Sequence, residues 1–326
     1  EMLDLYGKHI VKKCPTLRSK GYLKFGGLKT LSTGTAKVLS RHEGELILDG
    51  LESLSDGAAE ALSKHKGEAH LNRLASLSDL PGHIALAGKL ASQEGMDLCG
   101  LTSLSDGAAV ALSKRKGDLD LGGLKSLSDK AAKSLSKHEG ELNLWGLESL
   151  SDSPGHIAVA EKLASQEGLD LGGLKSLSDG AALVLSKCKG DLDLSGLKNL
   201  SDGAALVLSK CKGYLDLNDL ASLSDAAAEA LSKHKRGLNL RYLKSLSDSP
   251  GHVALAKKLA SKKGYLDHND LASLSDAAAV AFSKHDGGLA FYGLKSLSDV
   301  AAEVLSNCKG DLNFSGLTSL SVAAAE

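Results

Sequence analysis

Acidic residues recur beside a Leu-x-Leu signature that returns along this sequence. They stand between its two apolar positions at Asp97, Asp120, Asp170, Asp193 and Asp216, and just before it at Asp118, Glu141 and Asp191. In a strand whose leucines point inward, both positions face outward, on strands about 4.8 Å apart. Like charges about 5 Å apart repel by roughly 0.8 kcal/mol in water, and no feature of a strand requires aspartate. Either the carboxylates meet a cation or a basic partner, or duplication copied a tolerated residue.

Calcium is the cation to consider first, because it takes six to eight oxygen ligands at about 2.4 Å. Part of such a set could come from Asp97, Asp118, Asp120 and Glu141. The sequence has no glycine-spaced calcium loop of the DxDxDG kind. We therefore expect no dedicated metal site and no cofactor.

Aromatic residues are scarce, at 3% of the chain, but several lie next to the same signature. Trp145 and Tyr292 follow its second apolar position, Tyr242 lies one residue further, and Tyr214 and Tyr265 precede the first. Exposed Tyr and Trp are common anchors of protein interfaces. Together with the carboxylates they form the predicted partner-binding surface, the alternative being scattered surface aromatics.

A further column alternates histidine and cysteine: His42, His65, Arg115, His138, Cys188, Cys211, His234, His285 and Cys308. Neighbouring helices pack about 8 to 10 Å apart, which is too far for a shared zinc ion with bonds of about 2 Å. We therefore predict a packing role. Five cysteines without CxxC spacing favour a reducing, cytoplasmic compartment, while a secreted or cell-surface location stays open.

The bulk charge excludes other functions. With 39 basic and 40 acidic residues the net charge is −1, so no overall field attracts nucleic acid or a membrane surface. Lysines at predicted helix ends offset the helix dipole. No apolar run approaches the roughly 18 residues of a membrane span. The sequence also lacks GxSxG, Walker and HExxH motifs, so we predict neither membrane insertion nor nucleic-acid binding nor catalysis.

The signature divides the chain into repeats. It starts at residues 23, 46, 69, 96, 119, 142, 169, 192, 215, 238, 266, 289 and 312, at intervals of 23 residues with three longer ones of 27, 27 and 28. Such a period predicts one continuous solenoid over residues 23–326, with twelve complete repeats and a truncated thirteenth. Residues 1–22 are predicted to form an irregular N-terminal cap. The segment 321–326 begins another helix, so we expect a longer natural chain or a homodimer through this end.

The repeat Leu119–Glu141 shows the predicted elements. Leu119 and Leu121 alternate with Asp120, as in a short strand, and Ser128 is placed to cap a helix of about ten residues. Gly140 is placed for a left-handed helix end. In the three long repeats Pro-Gly-His follows just after the Ser-Asp pair at the helix start, which predicts a helix longer by about one turn. Their histidines, His83, His156 and His252, lie too many repeats apart to share a metal.

These motifs resemble leucine-rich repeats, whose common form reads LxxLxLxxNxL. Leu-x-Leu matches, whereas leucine replaces the asparagine at Leu124, Leu147 and Leu174. The 23-residue length and the segment Leu177-Ser-Asp-Gly-Ala-Ala-x-x-Leu185 resemble the bacterial Treponema-type class, which reads IGxxAFxxC there. Without the asparagines, our candidates for bonding the turn carbonyls are the serines at Ser103, Ser126, Ser149, Ser176, Ser222 and Ser245.

The resemblance implies an α/β horseshoe with parallel strands on the concave face and short helices on the convex face. It also implies a non-catalytic scaffold that binds a macromolecular partner, here a protein with basic groups. The alternative is a spacer solenoid that arose by recent duplication and has no dedicated ligand.

Overall fold

The leucines of the repeated signature form the core. In the repeat that starts at Leu119, Leu119 and Leu121 are buried, while Asp120 between them is partly exposed. The computed structural model describes residues 21–319. They form two compact units: the described part of Glu1–Glu148 with Ser153–Leu163, and Ser149–Asp152 with the described part of Ala164–Glu326.

Short strands and helices alternate through both units. The strands are β1 Leu23–Lys24, β2 Leu46–Ile47, β3 Ala69–His70, β4 Ser76–Leu77, β5 Ser103–Leu104, β6 Leu119–Asp120, β7 Leu142–Asn143, β8 Ser149–Leu150, β9 Leu169–Asp170, β10 Ser176–Leu177, β11 Leu192–Asp193, β12 Leu215–Asp216, β13 Leu238–Asn239, β14 Ser245–Leu246, β15 Leu266–Asp267, β16 Ser273–Leu274, β17 Leu289–Ala290 and β18 Leu312–Asn313. The helices are α1 Thr33–Leu39, α2 Asp56–Ser63, α3 Pro81–Ala91, α4 Asp106–Leu112, α5 Asp129–Leu135, α6 Pro154–Ala164, α7 Asp179–Leu185, α8 Asp202–Leu208, α9 Asp225–Ser232, α10 Pro250–Ala260, α11 Asp276–Phe282 and α12 Asp299–Ser306.

Each ordinary helix begins after a capping serine, as predicted. The Ser128 hydroxyl accepts a hydrogen bond from the Ala131 amide (3.0 Å), which satisfies an amide that the first turn leaves without a partner. At the other end, the His138 amide donates to the Leu135 carbonyl three residues back (3.0 Å). The chain thus leaves α5 by a 3₁₀-type bond, and the helix has seven residues instead of about ten.

In α5, α8, α9 and α12 the capping serine also joins the helix to the one before it. The Ser128 hydroxyl donates to the Asp106 carboxylate in the first turn of α4. The same bond joins Ser201 to Asp179, Ser224 to Asp202 and Ser298 to Asp276. A Ser-Asp pair in this sequence therefore supplies a helix cap and a contact between neighbouring repeats.

Main-chain amides bond the turn carbonyls. The Lys125 carbonyl accepts from the Glu148 amide (2.9 Å), and the Ala221 carbonyl accepts from the Lys244 amide (3.0 Å). The prediction that serines such as Ser126 do this is wrong. Successive turns lie in register, so the amide of one turn reaches the carbonyl of the turn before it.

The glycine column after the helices serves close packing. Among residues 21–319 only Gly168 and Gly264 have a left-handed backbone, so the left-handed helix end predicted at Gly140 is wrong. A Cβ at Gly140 would lie 2.5 Å from the Gly117 carbonyl oxygen of the repeat before it, and one at Gly67 would lie 2.0 Å from the Gly44 carbonyl oxygen. Glycine is needed here because two backbones meet.

The three long repeats have longer helices, as predicted. Helices α3, α6 and α10 each span 11 residues. An aspartate of the preceding helix caps each one: Asp56 accepts from the Gly82 amide (2.7 Å), Asp129 from Gly155 (2.5 Å) and Asp225 from Gly251 (2.6 Å). The histidines of the motif are buried. The Nε2 atoms of His83, His156 and His252 lie 3.0 to 3.1 Å from the carbonyls of Leu54, Leu127 and Leu223, respectively.

The sheet of Leu-x-Leu strands is interrupted at long repeats. In the first unit β1, β2 and β3 form one parallel sheet and β6 pairs with β7; in the second, β9, β11, β12 and β13 form one sheet and β15, β17 and β18 another. The signature at Met96, just after the first interruption, forms no strand, contrary to prediction. Near the interruptions other strands pair instead: β4 with β5, and β14 with β16.

A glutamine side chain closes the break after β3. The Gln93 carboxamide oxygen accepts from the Ala69 amide (2.9 Å), and its nitrogen donates to the Ala69 carbonyl (3.1 Å). Gln93 is buried. Its carboxamide therefore makes, with β3, the pair of bonds that a neighbouring strand would make.

The helices between residues 21 and 319 are all too short and too polar to cross a bilayer. No group of three or more His, Cys, Asp or Glu side chains in that range is arranged to hold a metal ion. Most of the predicted cap at 1–22, the end of the truncated thirteenth repeat and the segment 321–326 with its expected homodimer contact lie outside the described residues and stay predictions.

The glycine column can be tested with a matched pair of substitutions. We expect Gly67→Ala to lower the free energy of unfolding by about 1 to 3 kcal/mol, because its methyl group would meet the Gly44 carbonyl. Gly88→Ala is the control, since its methyl group would meet nothing within 4 Å, and in α3 it should stabilise by about 0.4 to 1 kcal/mol. Urea unfolding of both variants measures this, and equal effects would refute the close-packing role.

Candidate partner-binding surface

In each unit the predicted surface residues lie at exposed or partly exposed positions beside the strands, on a side of that unit that we call its strand face. Those of the first unit are Asp97, Asp118, Asp120, Glu141 and Trp145. Those of the second unit are Asp170, Asp191, Asp193, Tyr214, Asp216, Tyr242, Tyr265 and Tyr292. The adjoining leucines are buried, so the strands present these side chains outward.

The mid-signature aspartates of the predicted surface each close the turn that follows them. The Asp120 carboxylate accepts from the Gly122 amide (2.8 Å), and Asp193 accepts from the Ser195 amide (2.8 Å). Asp97, Asp170 and Asp216 accept in the same way from Cys99 (2.9 Å), Gly172 (3.0 Å) and Asn218 (2.9 Å). These Asx turns give the aspartates the structural role that the sequence did not reveal.

Asparagine performs the same role in other repeats. The Asn143 side-chain oxygen accepts from the Trp145 amide (3.1 Å), and that of Asn313 accepts from the Ser315 amide (3.1 Å). Either kind of oxygen acceptor two residues before the amide can therefore close the turn. The turn does not require a negative charge.

The acidic column just before the signature links neighbouring repeats. The Asp118 carboxylate accepts from the Glu141 amide (3.0 Å), and the Asp191 carboxylate accepts from the Tyr214 amide (2.7 Å). Each carboxylate thus binds the residue in its own column one repeat further on.

Carboxylates come together most closely in the second unit. Asp170, Asp193, Asp216 and Asn239 are in register across four parallel strands. Burial and the neighbouring Asp193 raise the pKa of Asp216, although the Asn239 amide donates to both of its oxygens (3.1 Å each) and opposes that shift. The row therefore keeps like charges side by side.

Two tyrosines pack against glycines of the following repeat. A Cβ at Gly237 would lie 2.5 Å from the Tyr214 ring, and one at Gly288 would lie 2.8 Å from the Tyr265 ring. Tyr265 is still 59% exposed and Tyr214 36%. Burial, followed by the charges of nearby aspartates including Asp216, raises the pKa of Tyr214. Glycine thus fixes each ring while leaving much of it accessible.

The other aromatics occupy distinct settings. The Tyr265 and Tyr292 hydroxyls lie 3.4 Å apart, and this hydrogen bond, more than burial, raises the pKa of Tyr265 to about 12. Tyr242 is half-buried. In the first unit Trp145 lies against Gly122, with the Lys125 ammonium 5.9 Å from its ring centre, within cation–π range.

The column of histidines and cysteines is buried except at Cys308, which is partly exposed, in keeping with a packing role. The His285 ring nitrogens lie 2.8 Å from the Ala260 and Gly264 carbonyls, and His42 stacks on His65 with ring centres 6.3 Å apart. Cys188 and Cys211 are free thiols, and burial raises the pKa of Cys211 to about 12.

Sequence reasoning missed the residues at the break between β13 and β15. Arg241 pairs with Asp267 (2.5 Å), while His268 is only 3% exposed and packs against the rings of Phe282 and Phe291. Burial lowers the pKa of His268 to about 4. One signal was available: His268 stands where Leu-x-Leu has its second leucine, in the repeat that follows the 28-residue interval.

Repeats of strand, turn and helix, with parallel strands in register, make up the described chain. The fold is an α/β leucine-rich-repeat solenoid. No protein-family model and no curated protein matches the sequence.

Solved structures of leucine-rich-repeat proteins are similar to this chain. A leucine-rich-repeat protein of Leptospira interrogans is 18% identical, with 93% of this chain and 98% of that chain covered and a TM-score of 0.34. The Drosophila Toll–Spatzle complex, a molecular hub in development and innate immunity, gives 14% identity, with 81% of this chain and 40% of that chain covered and a TM-score of 0.33. At these TM-scores the likeness adds nothing to what the repeats themselves show.

Replacing His268 tests the cost of its burial. Its pKa is about 4 when folded and about 6.5 when unfolded, so the unfolded chain binds more protons between these values. His268 therefore lowers stability as pH falls from about 6.5 towards 4. We expect His268→Leu to raise the free energy of unfolding at pH 7 by about 1 to 3 kcal/mol, because it removes a buried polar group that lacks a well-formed hydrogen bond.

The measurement is urea unfolding of both proteins at pH 7.5, 6.0 and 5.0. The advantage of the variant should grow at each lower pH. An advantage that does not change with pH would contradict the shifted titration of His268.

Proposed function

We propose that this chain is a non-catalytic scaffold that binds a basic protein partner through the strand face. The contacting residues are the thirteen carboxylate and aromatic positions named above. We also propose that its repeats belong to the bacterial Treponema-type class, which the 23-residue period and the segment Leu177–Leu185 support.

The observation that carries the proposal is the charge of the strand face. Asn143 and Asn313 close their turns as aspartate does elsewhere, so the fold would accept neutral side chains throughout the column. Asp170, Asp193 and Asp216 instead lie in register on adjacent strands, where their charges repel. A partner with lysines or arginines would offset that repulsion and would be steered towards the surface.

The aromatic residues supply contact area next to these charges. Tyr214 lies among Asp191, Asp193 and Asp216, whose charges act on its hydroxyl. A tyrosine held against glycine loses little freedom on binding, and such residues are common interface anchors. The second unit therefore combines charge complementarity with a fixed aromatic contact.

A spacer role is the second candidate, and one observation favours it. The middle and preceding acidic columns each make hydrogen bonds that the fold uses, as with Asp120 and Asp118. If these bonds alone account for the columns, the strand face needs no partner, and wild-type chain should capture none.

Charge removal that keeps the turns separates the two candidates. We expect the triple variant Asp170→Asn, Asp193→Asn, Asp216→Asn to fold with unchanged or higher stability, because asparagine caps the same turns and the repulsion is relieved. Affinity for the protein captured from source cells by the wild-type chain should fall at least about tenfold. Wild-type binding should also weaken with added salt.

The control removes three exposed carboxylates elsewhere, with Glu161→Gln, Asp286→Asn and Glu303→Gln. It changes the net charge equally, so it should bind as the wild-type chain does. If the two triple variants bind the purified partner equally well, the acidic strand face is not the binding surface.

A further inference from the structure

A cleft of about 240 Å³ lies at the strand break of the second unit, between β13 and β15. The residues that line it include Tyr214, Asn239, Arg241, Lys262, Tyr265 and His268. Of these, only the two tyrosines belong to the surface proposed above. The cleft is therefore largely distinct from the strand face.

The break after β3 shows what such a gap requires. There the Gln93 side chain gives the Ala69 amide an acceptor and the Ala69 carbonyl a donor. Lys262 stands at the same place in the long repeat that begins at Leu238, at the end of the 11-residue helix α10. An ammonium group can donate to a carbonyl but cannot accept from an amide.

The amide of Leu238 is consequently left without an acceptor. Amides of the strands before it, such as that of Leu215, donate to the next repeat (3.0 Å to Gly237). Within residues 21–319 neither Leu238 nor Leu240 has such a bond across the break. A buried amide without a partner is costly, so an acceptor from outside the chain would be bound favourably.

The positive charge of Lys262 determines which kind of acceptor the cleft favours. Arg241 is already paired with Asp267, whereas Lys262 forms no ion pair in the described part of the chain. Its charge acts on groups in and beside the cleft: it adds to the fall in the pKa of His268 and opposes the rise in the pKa of Asp216. A cation beside a free amide favours an anionic oxygen over a neutral one.

His268 is the independent sign of a ligand. Its side chain lines the cleft and is 3% exposed, and neither ring nitrogen makes a hydrogen bond of good geometry among the described residues, although the Leu240 backbone lies near enough to raise its pKa against the effect of burial. The other repeats place an apolar residue there, for example Leu240 or Leu217. A polar ring in an apolar position without a well-formed hydrogen bond is destabilising, and a ligand in the cleft that accepts its N–H would relieve that cost.

We propose that this cleft binds a carboxylate, carried either by a small organic acid or by the C-terminal residue of a peptide. One carboxylate oxygen accepts from the Leu238 amide, and the other faces the Lys262 ammonium and the His268 ring. Lys262 can also donate to the Leu238 carbonyl, the role that the Gln93 nitrogen has towards Ala69. Tyr214 and Tyr265 flank the group that carries the carboxylate.

The test uses the full chain with matched pairs of probes. Benzoate is compared with benzamide, and acetyl-Ala-Phe with a free C-terminus is compared with its C-terminal amide. Binding is followed by NMR of ¹³C-labelled histidine rings, with the spectrum of His268→Leu identifying the His268 signal. We expect a saturable shift of that signal with benzoate, the free-acid peptide or both, and none with the two amides.

Two substitutions at neighbouring exposed lysines add a control. Lys262→Gln restores the residue that closes the first break, so it should keep or raise thermal stability and weaken binding at least about tenfold, the loss of one charge-assisted hydrogen bond. Lys263→Gln removes an equal charge one residue away and should bind as the wild-type chain does. These readouts do not involve a protein partner, so they stand apart from the test of the strand face.

The outcomes separate cleanly. Binding of benzoate alone identifies a small acid as the ligand class, and binding of the free-acid peptide alone identifies a peptide C-terminus. The proposal is overturned if acids and amides shift the His268 signal alike, if none of them shifts it, or if Lys262→Gln binds as tightly as Lys263→Gln.

Discussion

Hydrogen bonds that pass from one repeat to the next are what the rest of this structure depends on. A repeat of 23 residues has a two-residue strand and a helix of seven or eight residues, and neither is stable in isolation. Strand amides donate to the next strand, turn amides to the preceding turn, and capping serines to the preceding helix. Glycines let these backbones meet, so each repeat completes its neighbour.

That dependence explains why the long repeats matter. An added helical turn on one side interrupts strand pairing on the other, and the exposed main-chain groups must then find other partners. In the first unit a glutamine side chain supplies both bonds. In the second unit a lysine occupies the same position and a buried histidine faces the gap. A longer repeat thus gives a break closed by Gln93 after β3 and an open cleft between β13 and β15.

The acidic columns also contribute to these hydrogen bonds. Most of these carboxylates already accept a main-chain amide through one oxygen, which is reason enough for an acceptor to recur. Asn143 shows that a neutral acceptor suffices. The fold does not explain the negative charge in the row Asp170, Asp193 and Asp216. The proposed binding of a basic partner depends on this charge.

Periodicity alone was enough to predict the solenoid, the buried leucines, the capping serines and the longer helices after Pro-Gly-His. These follow from local spacing, because strand alternation, helix capping and the φ of proline act within a few residues. The left-handed glycine, the serines bonding turn carbonyls and the strand at Met96 were predicted wrongly. In each case contacts between repeats decide the outcome, and such contacts join residues some 20 to 30 positions apart. The candidate surface was predicted in composition, while its Asx turns, which join residues two positions apart, were local bonds that the sequence pattern did not reveal. The cleft with Lys262 and His268 became visible only when neighbouring repeats were placed side by side.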